Sequence, residues 1–141
     1  LADFYQRWQD DVLVLDKWFA IQALSSSEDT LQRVSRLMQH QSFSLTNPNK
    51  VRALIGSFCA GNVVNFHVAD GSGYRFLADR VLDLDQLNPQ IAARMLRIMA
   101  RWQRYDTARQ TLMQAQLQRV AGHPGLSRDV YEIASKSLDV E

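Results

Sequence analysis

Arginines are the residues in this sequence whose spacing most clearly suggests chemistry. Arg94, Arg97 and Arg101 are three and four positions apart, so an α-helix would place them along one side. Arg52 follows an apolar residue of an earlier helical pattern and stands at the edge of its apolar face. Guanidinium groups can bind carboxylates or backbone carbonyls through paired hydrogen bonds. The same spacing is typical of a solvated helix face, and the pattern alone leaves both interpretations open.

The histidines and the cysteine give little indication of metal binding or catalysis. His40, His67 and His123 are far apart, and none has a second histidine or cysteine three or four residues away. The motif HExxH does not occur, so the sequence predicts no metal ligands in this chain. His67 is predicted to be a partly buried imidazole with a backbone partner. Cys59, the single cysteine, is predicted to be a small buried apolar residue rather than a nucleophile, which is compatible with a reducing compartment.

The glycine-rich loop GSG at residues 71–73 does not have the GxGxxG spacing or the lysine of a phosphate-binding loop. A turn at Asp70 and Gly71, with Ser72 as the cap of the next helix, explains the loop better. No serine stands in a nucleophile-elbow context, and the acidic residues form no recognisable acid and base pair. The sequence therefore predicts no catalytic residue.

Composition sets wide limits on function. The 141 residues suffice for one domain, and the apolar fraction of 46% and charged fraction of 22% are ordinary for a globular protein. A formal net charge of +1 does not favour nucleic acid or a membrane surface as a partner. The first residues do not resemble a signal peptide, and no apolar run is long enough to span a membrane. Because the sequence does not begin with methionine, we expect a fragment of a longer polypeptide.

Apolar residues recur at helical spacing along nearly the whole chain, and no segment favours a strand. We predict about seven helices joined by short loops, with residues 62–68 forming at most a helical turn. The predicted helices occupy residues 4–24, 31 to about 41, 48–60, 73–84, 89 to about 102, 107–120 and 128–138. A serine of residues 25–27 is predicted to cap the second helix, and Asp106 and Ser127 are predicted to cap the last two. Ile21 is predicted to face a neighbour on a second side of the first helix. Buried stripes are predicted in the third helix (Val51, Leu54, Ile55 and Phe58) and in the fourth (Tyr74, Leu77, Val81 and Leu84).

An Asn-Pro pair begins two of these helices, at Asn47-Pro48 and at Asn88-Pro89. The pairs are separated by about 40 residues, the period of armadillo and HEAT repeats, and the apolar pattern that follows them also recurs. The sequence therefore predicts an all-α fold, a right-handed superhelix of stacked antiparallel helix pairs. Residues 1–141 would form a single helical-repeat domain. In such a solenoid Arg52 and Arg94 would point to the same side.

Five segments resemble the C-terminal domain of the bacterial aminopeptidase N family, the alanyl aminopeptidase group of zinc metallopeptidases. They are DVLVLDKWFAIQAL, NPNKVRALIGSF, FHVADGSGYRFLADRVLDLDQLNPQIAARMLR, RWQRYDTARQ and LSRDVYEIASKSL. Together they cover nearly the whole chain in order, which makes the resemblance much more specific than a short motif.

The resemblance implies a non-catalytic domain that packs over the catalytic domain of the same polypeptide, encloses the active-site chamber and helps position peptide substrates. It implies zinc in the parent enzyme and none in this fragment, which alone would be inactive. Arg52 and Arg94 match arginines that project toward the chamber in the family, so they are the expected substrate-binding residues. The expected localisation is cytoplasmic, with no nucleic acid or membrane as partner. The alternative is a freestanding helical-repeat adaptor that binds a protein or peptide.

Overall fold

The computed structural model describes residues 12–139, and within this range the chain forms eight α-helices and no strand. The prediction of an all-α fold is therefore confirmed for the described residues, whereas Phe4 and Trp8 of the first predicted helix lie outside them. In chain order the elements are α1 (Val12–Ala23), α2 (Thr30–Leu37), α3 (Pro48–Val51), a π-helix (Arg52–Gly61), α4 (Val63–Phe66), α5 (Ser72–Asp85), α6 (Pro89–Leu96), two 3-10 segments (Arg97–Met99 and Trp102–Arg104), α7 (Thr107–Ala121) and α8 (Arg128–Leu138).

The chain divides into two compact units between Phe66 and His67. Unit 1 contains α1 to α4 with the π-helix, and unit 2 contains α5 to α8 with the 3-10 segments. None of the described helices is both long and apolar enough to cross a membrane.

In unit 1 the π-helix is the central element, and α1, α2, α3 and α4 all pack against it. The predicted apolar stripe is confirmed, because all its members are buried: Val51, Leu54, Ile55 and Phe58. Phe19 of α1 is also buried and makes an edge contact with Phe43 (centroids 5.8 Å apart, planes at 75°). The π-helix was not predicted, since its wider turns leave no distinct mark in the apolar pattern.

Two polar side chains, Asn62 and Lys50, join α1 to its neighbours in unit 1. The side-chain amide of Asn62 donates to the carbonyls of Ala23 and Ser25 at 2.9 and 2.8 Å, and this holds the end of α1 against the end of the π-helix. Lys50 Nζ lies 2.5 Å from Asp16 Oδ1, and the lysine side chain is only 6% exposed. A buried ammonium needs such a partner, because removal of its hydration costs several kcal/mol.

In unit 2, α5 packs against α6 and α7, and α8 packs against α6 and α7. Tyr74, Leu77, Val81 and Leu84 are buried on α5, as predicted. The turn before α5 contains Gly71 at φ 76°, a conformation that a side chain would strain, and an added Cβ would meet Leu112 at 3.2 Å.

The two Asn-Pro helix starts are confirmed. Asn47 Oδ1 accepts from the backbone N–H groups of Asn49 and Lys50, and Asn88 Oδ1 accepts from that of Ile91. Asp106 and Ser127 cap α7 and α8 in the same way, also as predicted.

Four local predictions were wrong. Ser72 is the first residue of α5 rather than its cap, because Gly71 takes that position and Asp70 accepts from the Ser72 N–H. No serine caps α2, which begins after Asp29. The predicted fifth helix ends at Leu96 and continues as 3-10 turns rather than as α-helix to residue 102. Ile21 is 54% exposed, not buried on a second face of α1.

Candidate functional site

A concave surface with convergent charges lies in unit 2, where α6 and the 3-10 segment that follows it run beside α8. Two adjoining clefts of about 270 and 430 Å³ open there, and both include Arg97 and Ile133 in their walls. We call the smaller the mixed cleft and the larger the basic cleft. Their shared residues make them two parts of one groove.

The mixed cleft brings together charges of both signs. Arg94 lies in the last turn of α6, Arg97 opens the 3-10 segment that follows, and Asp129 and Glu132 come from α8. Glu132 also accepts a hydrogen bond from Arg128 Nε at 3.4 Å. Such a lining can bind groups that carry both a donor and an acceptor, as a peptide backbone does.

The basic cleft contains three cations and no acidic side chain. Arg97, Arg101 and Lys136 line it together with Ala100, Ile133 and Ser137. All three cationic residues are exposed, and none forms an ion pair with a residue that the structure describes. An anion that entered this cleft would meet several donors without displacing an internal carboxylate.

The change from α-helix to 3-10 turns sets the position of these arginines. Arg97 opens the 3-10 segment, and Arg101 lies just before the second 3-10 segment. The buried Trp102 then donates its indole N–H to the carbonyl of Ser137 at 2.9 Å. This bond fixes the segment that carries Arg101 against the last turn of α8, which carries Lys136.

The two arginines predicted to bind substrate lie in different units. Arg94 is exposed and lines the mixed cleft of unit 2. Arg52 is exposed at the start of the π-helix in unit 1, and its guanidinium donates to Asn49 Oδ1. Arg97 and Arg101, which the sequence places on one stripe with Arg94, do lie along the same groove.

His67 belongs to a polar cluster within unit 2. Its Nδ1 lies 2.6 Å from the hydroxyl of buried Tyr74, and its ring stacks on Tyr105 at 4.6 Å. Arg109 Nε donates to the His67 carbonyl at 2.9 Å. Burial, with a smaller effect of the Arg109 charge, lowers the pKa of the His67 imidazole below its usual range. The prediction of partial burial is confirmed, and the backbone partner of the ring stays a prediction.

Cys59 is buried in the π-helix, as predicted, and burial raises the pKa of its thiol far above the usual range. Among residues 12–139 no group of three His, Cys, Asp or Glu side chains could hold a metal ion. The described residues thus contain a charged groove and buried polar clusters.

Sequence reasoning missed the α8 side of the groove. Asp129, Glu132 and Lys136 are spaced three and four residues apart, which is a detectable helical stripe. The sequence does not show that this stripe lies opposite the arginines, because that depends on how α8 packs on α6.

The fold and groove belong to an ARM-repeat domain. Residues 1–139 match the model of the family described as a domain of unknown function (DUF3458_C), ARM repeats. Because this match covers almost the whole chain, the chain belongs to that family.

Its relatives are much longer. The chain is 47% identical over 138 residues to aminopeptidase N of Haemophilus influenzae, 46% identical to that of Caulobacter vibrioides and 43% identical to that of Escherichia coli. Each match covers 98% of this chain and 16% of the relative.

A solved structure, of Legionella pneumophila aminopeptidase A in complex with aspartic acid, has a TM-score of 0.94 and 42% sequence identity. It covers 98% of this chain, which in turn covers 16% of that structure. The chain thus matches the C-terminal region of aminopeptidase N-type enzymes and spans about one sixth of their length.

Proposed function

We propose that this chain is the non-catalytic C-terminal domain of a zinc aminopeptidase, that it encloses the active-site chamber, and that it helps position peptides for removal of their N-terminal residues. The observation that carries the proposal is the match to three aminopeptidase N sequences over 98% of this chain but only 16% of each relative. The remaining length would contain the catalytic domain, in a cytoplasmic enzyme.

The zinc that the resemblance implies does not fit the described residues of this chain, which contain no suitable group of ligands. The role assigned to this chain is therefore limited to binding, orientation and exclusion of solvent. Arg94 supports that role because it is exposed, lines a cleft and forms no ion pair with a described residue. Arg52 is also exposed and keeps only a short-range contact with Asn49. Both could donate to the carbonyls or the carboxylate of a bound peptide.

Apolar side chains on unit 1 support the packing part of the proposal. Leu13 and Val64 are 74% and 75% exposed, and Ile21, Leu24 and Val63 are also largely exposed. The last three lie near one junction, because the Asn62 amide joins the end of α1 to the residues just before α4. Apolar surface of this kind is typical of a face that another domain covers.

The test uses the full-length polypeptide with Arg52→Ala and Arg94→Ala, assayed on peptides of increasing length and on a single amino-acid arylamide. We expect each variant to raise KM for the longer peptides by roughly tenfold, the value of one charge-assisted contact. The arylamide should be cleaved as before, because it has no residues beyond the scissile bond that could reach this domain.

The matched controls are Arg36→Ala in unit 1 and Arg75→Ala in unit 2, which remove exposed arginines away from the groove. The two control variants should leave the kinetics with the peptides and with the arylamide unchanged. Equal kinetics of all four variants on every peptide length would remove Arg52 and Arg94 from substrate binding. A full-length protein without peptidase activity would instead favour the adaptor hypothesis.

A further inference from the structure

The basic cleft is a strongly charged cavity that the proposed function does not use. Its cations come from two elements, with Arg97 and Arg101 on the segment after α6 and Lys136 on the last turn of α8. Three positive charges around one cavity repel one another unless counterions or a ligand neutralise them.

Other arginines of unit 2 show the contrast. Arg80, Arg109 and Arg119 pair with Asp83, Asp106 and Asp79 at 3.2, 3.0 and 2.7 Å. The acidic residues nearest the groove, Asp129 and Glu132, line the mixed cleft instead. The chain thus contains the acids needed to neutralise exposed arginines, and it does not place any of them in the basic cleft.

The cations also have a local role, because Arg97 and Lys136 lie near the ends of helices, where a positive charge is favourable. That role explains neither Arg101 nor the convergence of all three residues on one cavity. The bond from Trp102 to the Ser137 carbonyl holds the two walls together, so the backbone segments that carry the donors are fixed before any ligand arrives.

We infer that the basic cleft binds the carboxylate side chain of an acidic peptide segment whose backbone continues into the mixed cleft. Guanidinium groups bind carboxylates in bidentate geometry, which favours this group over a neutral one. Ala93, Ala100 and Ile133 offer apolar contact along the groove, and the mixed cleft offers both donors and acceptors. A groove in two adjoining parts suits an extended segment better than a small isolated anion.

This inference goes beyond the proposed function, because Arg101 and Lys136 have no part in it and the segment needs no free amino terminus. The probe is therefore blocked at both ends, acetyl-Gly-Glu-Glu-Gly-amide, which an aminopeptidase cannot trim. The comparison probes are acetyl-Gly-Gln-Gln-Gly-amide and inorganic phosphate. Binding to the full-length polypeptide is measured by isothermal titration calorimetry near physiological ionic strength, after circular dichroism has shown that each variant is folded.

We expect the glutamate peptide to bind at least about tenfold more tightly than the glutamine peptide. The double variant Arg101→Gln/Lys136→Gln should weaken it by at least about tenfold, whereas Arg75→Gln/Arg104→Gln, with the same loss of charge outside the cleft, should keep wild-type affinity. Glu132→Gln should strengthen binding, because it removes a negative charge from the adjoining cleft.

Several results would overturn the inference. If the glutamate peptide does not bind, the basic cleft is not a site for an acidic peptide. Equal losses in the two double variants would show a nonspecific effect of total charge. If phosphate binds as tightly as the glutamate peptide, the basic cleft is a simple anion site and not a peptide site. None of these results bears on the kinetics of Arg52 and Arg94 variants, so the two proposals fail separately.

Discussion

A buried lysine of unit 1 and the exposed cations of the basic cleft in unit 2 show two opposite uses of positive charge. In unit 1, Lys50 is buried and paired with Asp16 at 2.5 Å, so its charge is part of the packing between α1 and α3. In unit 2, Arg97, Arg101 and Lys136 remain exposed around a cavity without a carboxylate. The difference indicates that the charge of Lys50 stabilises the fold of unit 1, whereas the charges around the basic cleft of unit 2 remain available for binding.

The largest effect should come from breaking the buried pair of unit 1. Asp16→Ala leaves the Lys50 ammonium in a buried site without its carboxylate, and we expect a loss of about 3 kcal/mol in the free energy of unfolding. Urea unfolding followed by circular dichroism measures it.

The control for that experiment is Arg33→Ala, which breaks an exposed ion pair of the same unit. It should lower the free energy of unfolding far less than Asp16→Ala does. In unit 2, Arg101→Ala should also leave the stability nearly unchanged, because no packing depends on it. A loss at Arg101 as large as that at Asp16 would contradict the contrast between the units.

A smaller effect is expected at the two Asn-Pro helix starts, which allow a direct comparison of the units. Asn47→Ala and Asn88→Ala should each cost about 1 kcal/mol, because each removes a side-chain acceptor from the first turn. Asn47→Ala should lower the free energy of unfolding more than Asn88→Ala does. Asn47 accepts from two N–H groups, whereas Asn88 accepts from one at 3.3 Å. Asn47→Asp and Asn88→Asp retain the acceptor and should retain the stability. A larger loss at Asn88 would contradict this ranking.

The smallest effect concerns pH, and each unit contributes one histidine. Burial lowers the pKa of His40 in unit 1 and, with the Arg109 charge, that of His67 in unit 2, below the reference value of 6.5. The unfolded chain therefore binds protons more readily, and the free energy of unfolding should fall as the pH drops through about 6.5.

His67→Gln and His40→Gln should each reduce this pH dependence, as measured by urea unfolding between about pH 7.5 and 5.5. His123→Gln is the control, because that residue is exposed. Stability that rose on acidification would contradict the direction of both pKa shifts.

Local rules explain what could be predicted from the sequence. The Asn-Pro starts at Asn47 and Asn88 were predictable because a cap involves only the next few residues. The buried stripe of the π-helix was predictable because apolar spacing shows which side faces the core. The π-helix itself was not, since its wider turns are set by the helices packed around it.

Contacts between distant residues account for what the sequence did not reveal. Asp16 and Lys50 are far apart in the chain, and nothing in either segment identifies the other as its partner. The groove was predicted only on its arginine side, because Lys136 reaches it through the packing of α8 on α6. Repeat spacing can indicate such packing, but it does not specify which side chains will line a cavity.

The bond between Trp102 and Ser137 also places a fluorescent indole next to the groove. The indole is buried directly behind a residue that lines the basic cleft, so its emission should respond when a ligand alters the Ser137 carbonyl. Replacing Trp8 and Trp18 with phenylalanine would leave Trp102 as the sole indole fluorophore of these 141 residues. Occupancy of the cleft could then be followed in real time without any attached dye.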